Sequence, residues 1–209
     1  MTLINRKRNG QWRSYDYCAV DIETTGLDLK SDEVISIGAV TITDGRFKKE
    51  GNFYEEIAPV KNPSTASMQV HGLRGVDLEG ASPARVVVPK LITYLGDKLL
   101  IAHAGWIERA FLKDHFKTGG SAFPNRIIDT AGLARYAGFA TSEGGHEPSL
   151  EFLARSLNLP VFTPHHALGD AMTTAAVFLA LATNIERKSL EKSREGLTLQ
   201  QLMEFSETK

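Results

Sequence analysis

The stretch VDIETTGLD, residues 20–28, guides the interpretation of the whole sequence. It ends an apolar run that begins at Tyr15 and is closed by the turn-prone segment 24–26, a pattern typical of a central strand. Because side chains alternate across a strand, Asp21 and Glu23 share one face, roughly 6.7 Å apart along the chain. Two acids on one face repel, so we expect this pair to bind a metal, to meet Arg or Lys, or to lie at a solvated strand end.

The segments that follow predict an α/β protein with a mixed sheet flanked by helices. Residues 34–42 are β-branched and apolar, and after a turn at Asp44 and Gly45 a more polar strand over 47–57 completes an antiparallel meander of three strands. Apolar residues at helical spacing then alternate with short strands, which is typical of helices packed on a sheet. The predicted segments are a helix over 84–95, a strand over 99–102, a helix around 107–111, helices capped by Asp129 and Ser149, and an amphipathic helix over 171–182.

Length and charge indicate one domain with short additions at both ends. The chain has 209 residues, about one domain with a short extension. Residues 1–14 are polar and basic, which predicts an arm that either contacts phosphates or is a solvated terminus, ahead of a domain over 15–185 and a C-terminal extension over 186–209. Its 24 basic and 25 acidic residues nearly cancel. This balance argues against a large basic surface that binds duplex nucleic acid. It allows a small binding site in which metal ions supply the positive charge.

The sequence predicts a cytoplasmic protein without a membrane partner. The longest apolar run, residues 175–182, has eight residues, whereas a membrane span needs about 18. The basic N-terminus lacks the apolar stretch of a secretory signal. The single cysteine, Cys18, has no partner for an internal disulfide and lies in an apolar stretch, so we expect it in the core.

A third acid strengthens the metal interpretation. Asp170 stands near the start of the last amphipathic helix, after His165 and His166. An acid near a helix N-terminus is favourable by about 0.3 to 1 kcal/mol, so compensation of the helix dipole alone would explain Asp170. A histidine at the same place is disfavoured as a cation, which keeps it neutral and able to accept a proton. Carboxylate ligands suit Mg²⁺ or Mn²⁺ better than Zn²⁺. Such clusters typically hold two ions about 3.5 to 4 Å apart for attack at phosphorus, so phosphoryl transfer is the predicted chemistry.

Two motifs make the chain similar to a known family. VDIETTGLD and HHALGDA, residues 165–171, match the first and third motifs of the DEDDh 3′-to-5′ exonucleases, the family of the bacterial polymerase proofreading subunit and ribonuclease T. The resemblance runs from about Tyr15 to Ala182 and implies a ribonuclease-H-like fold. Three supporting segments fall in family order: VHGL at 70–73, IDTAGLAR at 128–135 and SLEFLARSLNLP at 149–160.

The resemblance also implies a reaction and a set of site residues. Asp21 would bridge two ions, Glu23 and Asp170 would hold the first, and His165 would deprotonate the attacking water. The protein would hydrolyse single-stranded 3′ ends to nucleoside 5′-monophosphates, with DNA as the favoured substrate and RNA as the alternative. The residues that would contact substrate are Thr24, Thr25, Leu27, His71, His103 and Trp106.

The second motif departs from the family pattern H-N-A-x-F-D. Residues 103–108 read HAGWIE, with Ala104 for Asn, Ile107 for Phe and Glu108 for Asp. Glutamate keeps the charge but adds a methylene, so it fits only if the second ion moves or a bridging water is lost. Otherwise Glu108 is a solvated helix residue, and Trp106 either stacks on a terminal base or lies in the core. The departure also favours an alternative function, a non-catalytic module that binds nucleic acid or a polymerase.

The two adjacent histidines give conflicting predictions. In a regular helix His166 and Asp170 share a face through their i, i+4 spacing, and His165 does not. The motif favours His165 as the base, which requires a turn at Thr163 and Pro164 ahead of the helix.

The C-terminus suggests a possible protein partner. QLMEF, residues 201–205, looks like the QLxLF peptide that binds sliding clamps, through Gln201, Leu202 and Phe205. A terminal amphipathic helix capped by Thr198 explains the same residues.

Overall fold

The centre of the fold is a mixed β-sheet, seen in a computed structural model that describes residues 10–47, 50–139, 147–193 and 196–208. Within these residues six strands pair in the order β3-β2-β1-β5-β6, and β4 also pairs with β2. β1 is antiparallel to β2 and parallel to β5, and β5 is parallel to β6. The strands are β1 (Tyr17–Thr24), β2 (Val34–Thr43), β3 (Arg46–Phe47), β4 (Phe53–Glu56), β5 (Leu99–Ala102) and β6 (Ile128–Asp129).

Helices cover both faces of this sheet, so the predicted α/β architecture is confirmed. One apolar layer joins the sheet to α2 and α3, and it includes Cys18, Leu91 and Phe111. The other layer centres on Phe178 of α6, which packs against Tyr17 of β1. The helices are α1 (Thr65–His71), α2 (Ala84–Leu95), α3 (Trp106–Thr118), α4 (Thr130–Ala137), α5 (Leu150–Ser156), α6 (Ala167–Ser193) and α7 (Leu199–Ser206).

The predicted third strand of the meander, 47–57, is wrong as a single element. β3 ends at Phe47 and β4 begins at Phe53, and both pair with β2. Between them Gly51 has a φ of 74°, a left-handed conformation that a continuous strand does not contain. The chain therefore leaves the sheet and returns to the same neighbour.

The described part of the predicted N-terminal arm packs on the domain. Trp12 is completely buried and meets the ring of Phe178 edge to face, with the ring centroids 5.8 Å apart. Gln11 forms a β-bridge with Thr198. Of the predicted arm over 1–14, the described residues 10–14 therefore pack on the domain, because the indole of Trp12 adds its apolar surface to the core. Residues 1–9 lie outside the described residues.

The predicted C-terminal extension is likewise integrated. α6 continues past residue 185, and Leu197 and Leu202 are buried in the same core layer as Phe178. The residues of the clamp-like peptide are used by the fold: Gln201 forms a capping box with Thr198, and Phe205 stacks on Tyr136 with centroids 3.7 Å apart. We therefore do not retain a sliding clamp as a partner.

α6 is long and apolar enough to cross a membrane by length and composition. It lies against β1 and β2, and Ala171, Ala175, Phe178 and Ala182 are buried there. Its apolar composition is therefore explained by its place in the core.

A glycine on β2 allows the start of α6 to approach the sheet. Gly38 pairs with Asp21 across the β1–β2 ladder. A Cβ atom at position 38 would overlap the backbone of Ala167 and Leu168. The missing side chain thus brings the first turn of α6, with Asp170, against the strand pair that carries Asp21.

Replacing Gly38 by alanine is expected to destabilise the protein by about 2 to 3 kcal/mol, since overpacking against backbone atoms cannot be relieved by one side-chain rotation. Urea unfolding measures the change. The control is Gly51→Ala, where φ is 74° and no atom lies within 4 Å of the added Cβ, so only a conformational cost of about 1 kcal/mol applies. A Gly38→Ala protein as stable as wild type would contradict the close approach.

Candidate active site

Three carboxylates from two distant segments meet at one end of β1. Asp21 and Glu23 project from the same face of the strand, and Asp170 lies in the first turn of α6. One oxygen from each lies within 4.8 Å of the other two. The structure thus brings together the three acids that the sequence singled out.

These carboxylates repel one another and are partly buried. The pKa of Asp21 lies well above its usual range because of burial and then the charges of Glu108, Asp170 and Glu23. The pKa of Glu23 is raised to about 7 by burial and by Asp170, and burial also raises the pKa of Asp170. Among the described residues, no Lys or Arg side chain forms an ion pair with any of the three.

This arrangement fits a divalent cation. Clustered carboxylates that lack a basic partner are unfavourable unless they are protonated or bind a metal. All three groups offer hard oxygen ligands, the type that Mg²⁺ and Mn²⁺ prefer. The donor set therefore fits the ions that the sequence predicted.

Glu108 is buried, so its interpretation as a solvated helix residue is wrong. It lies in the first turn of α3, is 3% exposed, and its Oε2 has no hydrogen-bond partner among the described residues. Burial and then the charge of Asp129 raise the pKa of Glu108 to about 8. Its charge also raises the pKa of Asp21, although Glu108 lies outside the group of three oxygens within 4.8 Å.

The raised pKa values predict how stability depends on pH when metal is removed. Between about pH 6.5 and 8 the carboxyls of Glu23 and Glu108 lose their protons in the folded protein, whereas both are already ionised in the unfolded chain. The unfolded state then binds fewer protons, so stability falls as pH rises through this window. We expect the melting temperature in EDTA to fall by several degrees, as calorimetry would measure.

The matched variant for this prediction is Glu108→Gln, which removes one of the two titrating groups and should flatten the fall. His71 and His103 act in the opposite direction at the acid end of this window, because burial lowers the pKa of both while their unfolded forms are still partly protonated near pH 6.5. A melting temperature that rises from pH 6.5 to 8 would contradict the described electrostatics.

The two histidines before α6 occupy different environments. His165 precedes the helix with a φ of 57°, and its backbone N–H donates to Asp170 Oδ2 at 2.9 Å. Its ring is half exposed, with Nε2 4.0 Å from Oε1 of Glu151. His166 stacks on Tyr54, with the ring centroids 4.5 Å apart. Because the helix begins at Ala167, the lead-in turn required by the motif is present.

Most of the predicted substrate residues lie at the end of β1. Leu27 is 68% exposed, and the His71 ring nitrogen Nε2 lies 3.2 Å from the carbonyl oxygen of Thr24. The Thr25 hydroxyl is buried and donates to Asp32 Oδ1 at 2.9 Å. These residues form a rim at the end of the strand that carries Asp21 and Glu23, with Leu27 as its accessible apolar side chain.

The two remaining predicted substrate residues, Trp106 and His103, lie in different environments. Trp106 is 56% exposed at the first position of α3, so its interpretation as a core residue is wrong. His103 lies at the junction of β5 and α4, where its Nδ1 is 2.9 Å from the hydroxyl of Thr130. Burial lowers its pKa, and the nearby charges are those of Asp129, Glu147 and Arg135. Among the described residues His103 makes no contact with the three acids, and its role in substrate binding stays a prediction.

Two residues near the site were missed by sequence reasoning. Tyr54 of β4 stacks on His166, and its pKa is raised to about 12 by burial and then by the charge of Glu56. Glu151 of α5 faces His165 and raises the pKa of Asp170. Both contacts join segments far apart in sequence, so periodicity gave no signal for them.

The family comparison identifies the class of protein. Residues 18–178 match the model of the RNase T family, described as Exonuclease. The chain therefore belongs to this exonuclease family.

Curated relatives include much longer polymerases. The chain is 29% identical over 208 residues to the DNA polymerase III PolC-type of Thermotoga petrophila, covering 99% of this chain and 15% of that protein. It is 30% identical over 194 residues to the PolC-type polymerase of Thermotoga maritima, covering 92% and 14%. The chain thus spans about one seventh of the length of these relatives.

Solved structures confirm the predicted fold. Exonuclease X in complex with 5′ overhanging duplex DNA superposes with a TM-score of 0.66 at 22% identity, covering 91% of this chain and 99% of that one. The nuclease domain of 3′hExo, a DEDDh family member bound to rAMP, gives 0.66 at 16% identity, with coverage of 90% and 98%. E. coli Exonuclease I with a dT13 oligonucleotide gives 0.69 at 14% identity, with coverage of 87% and 44%.

Proposed function

We propose that this protein is a metal-dependent 3′-to-5′ exonuclease that releases nucleoside 5′-monophosphates from single-stranded ends in the cytoplasm. The convergence of Asp21, Glu23 and Asp170, with no Lys or Arg ion pair to them in the described part of the chain, carries the proposal. The match to PolC-type DNA polymerases favours DNA over RNA as the substrate and a DNA polymerase as the partner. The buried, unpaired Cys18 is consistent with a reducing compartment.

Four residues would hold the metal. Asp21, Glu23 and Asp170 would hold the first Mg²⁺ or Mn²⁺, and Asp21 with Glu108 would serve the second. Bound ions of this kind neutralise the clustered carboxylates and stabilise negative charge that develops at phosphorus.

His165 would act as the general base. Its ring is accessible, whereas that of His166 is stacked on Tyr54. The hydrogen bond from its backbone N–H to Asp170 Oδ2 holds it beside the acids. A ring nitrogen would accept a proton from water, whose oxygen then bonds to phosphorus while the bond to the leaving 3′ oxygen breaks.

The rim would position the terminal nucleotide. Leu27 is accessible at the end of β1, and Trp106 is accessible one helical turn before Arg109 on α3. An exposed indole at the start of the helix that carries Glu108 can stack on an unpaired base, which requires no sequence preference. The near-neutral net charge is consistent with a binding site that contacts only a few nucleotides.

Trp106→Ala is therefore expected to raise KM for single-stranded oligonucleotides about 5- to 150-fold, because base stacking contributes about 1 to 3 kcal/mol. kcat should change much less, and steady-state kinetics on a fluorescent oligonucleotide separate the two parameters. Trp106→Phe retains an aromatic face and should recover most of the loss. An unchanged KM in Trp106→Ala would remove this residue from the substrate site.

End-labelled strands test the proposed activity and its direction. Single-stranded DNA and RNA, labelled at either end, are incubated with Mg²⁺ or Mn²⁺, with EDTA as the control. We expect a 3′ label to appear at once in mononucleotide and a 5′ label to appear in a descending ladder. Release of mononucleotide first from 5′-labelled ends would overturn the direction, and the absence of any release would overturn the activity.

The position of Glu108 outside the close group of acids favours one alternative, a module that binds nucleic acid without cutting it. In the same assay this alternative predicts bound but intact oligonucleotides under every metal condition.

A further inference from the structure

The turn that begins α3 has an unfavourable backbone conformation. Ala104 has a φ of 56°, in the left-handed region that residues other than glycine rarely adopt, and alanine has no polar side chain to stabilise it. Four residues later the helix carries Glu108, buried beside Asp21. A conformation of this kind persists only when surrounding groups impose it.

One carboxylate supplies the missing stabilisation. Asp129 accepts hydrogen bonds from the backbone N–H of Ala104 at 3.1 Å and of Gly105 at 3.2 Å. It also accepts from the N–H of Ala131 at 2.9 Å, which makes it the N-cap of α4. The parallel pairing of Ala102 with Asp129 across β5 and β6 brings these segments together.

Packing holds the same turn from the other side. A Cβ atom on Gly105 would lie 2.8 Å from Ile127 Cγ2 and 3.2 Å from Ala102 Cβ, so the turn lies close against β5 and the residue before β6. Trp106, the first residue of α3, follows Gly105 directly along the chain. Because Glu108 lies in the first helical turn, its direction depends on this start.

We propose that Asp129 is a positioning residue whose carboxylate holds the strained turn at Ala104 and Gly105 and thereby directs Glu108 towards the three clustered acids. The role of Glu108 in this statement rests on the proposed function. The hydrogen bonds from Asp129 to the turn do not depend on it.

The first test measures the turn itself in metal-free protein. The variant is Asp129→Ser, because serine keeps an N-cap acceptor for Ala131 but is too short to bridge two further amides. We expect hydrogen exchange at the Ala104 and Gly105 amides to accelerate about tenfold or more, while the Ala131 amide changes much less. Exchange at 104 and 105 that matches wild type would overturn the proposal, whether or not the protein is a nuclease.

The second test links the turn to Glu108 through kinetics. Asp129→Ser should lower kcat about 10-fold or more, with KM changed by less than about threefold. Glycine adopts the left-handed conformation freely, so in the Ala104→Gly background the same change should cost clearly less. An equal loss in both backgrounds would show that Asp129 acts only as a helix cap, and this result would overturn the proposal.

Thr198→Ala is the matched control. Thr198 caps α7 through the N–H of Gln201, far along the chain from the turn at 104. Its removal should lower the melting temperature without changing exchange at Ala104 or Gly105. If wild-type protein shows no nuclease activity, the proposed function fails, and the exchange measurement still decides the positioning role.

Discussion

Asp21→Asn is expected to abolish hydrolysis and to stabilise the metal-free protein at the same time. Asparagine has nearly the same shape, but it removes the charge that repels Glu23, Asp170 and Glu108. Without that charge the site loses its central ligand, so kcat should fall about a thousandfold or more. The melting temperature in EDTA at about pH 7.5 should rise by several degrees, because a buried and repelled carboxylate is gone.

The two measurements together separate this account from a purely structural one. A structural acid would lose activity and stability in parallel, whereas a metal ligand moves them in opposite directions. Asp77→Asn is the control, since Asp77 is an exposed acid paired with Arg74 and should leave activity unchanged. An Asp21→Asn protein that keeps a tenth of wild-type activity would contradict the proposed site.

His165→Gln is expected to lower kcat by about 100- to 10,000-fold, the usual contribution of a general base, with little change in KM. Glutamine can donate and accept hydrogen bonds, but it cannot take up the proton of the attacking water. The backbone N–H of residue 165 still donates to Asp170, so the acids keep their arrangement. Steady-state kinetics and Mn²⁺ binding, measured on the same preparation, check both statements.

His166→Gln is the neighbouring comparison. It removes the stack on Tyr54 and should cost some stability and a smaller part of kcat. If His166→Gln is the more damaging of the two changes, the helical-spacing argument is correct and His165 is not the base.

Local patterns in the sequence were enough to predict the elements that carry the first three acids. The alternation in β1 places Asp21 and Glu23 on one face, and the apolar spacing after Asp170 predicts α6. Both signals arise within one element, so no tertiary information is needed. Gly38 could not be interpreted in the same way, because its reason is the backbone of a helix more than 120 residues away.

The remaining features depend on contacts between segments. Glu108 and Trp106 stand two residues apart on α3, yet the acid is buried and the indole is exposed. From residue type alone, the acid would be expected at the surface and the indole in the core. The packing of α3 against the sheet determines the observed arrangement. The polar and basic neighbours of Trp12 predict an arm, whereas the ring that it packs against, Phe178, lies on α6.

Calorimetric titration of Mn²⁺ into metal-free protein, with a nucleoside 5′-monophosphate present, tests most directly whether these converging acids form a metal centre. We predict saturable binding to wild type and to Asp77→Asn, with the heat of binding lost in Asp21→Asn. Equal binding by wild type and Asp21→Asn, or no binding by either, would contradict the account.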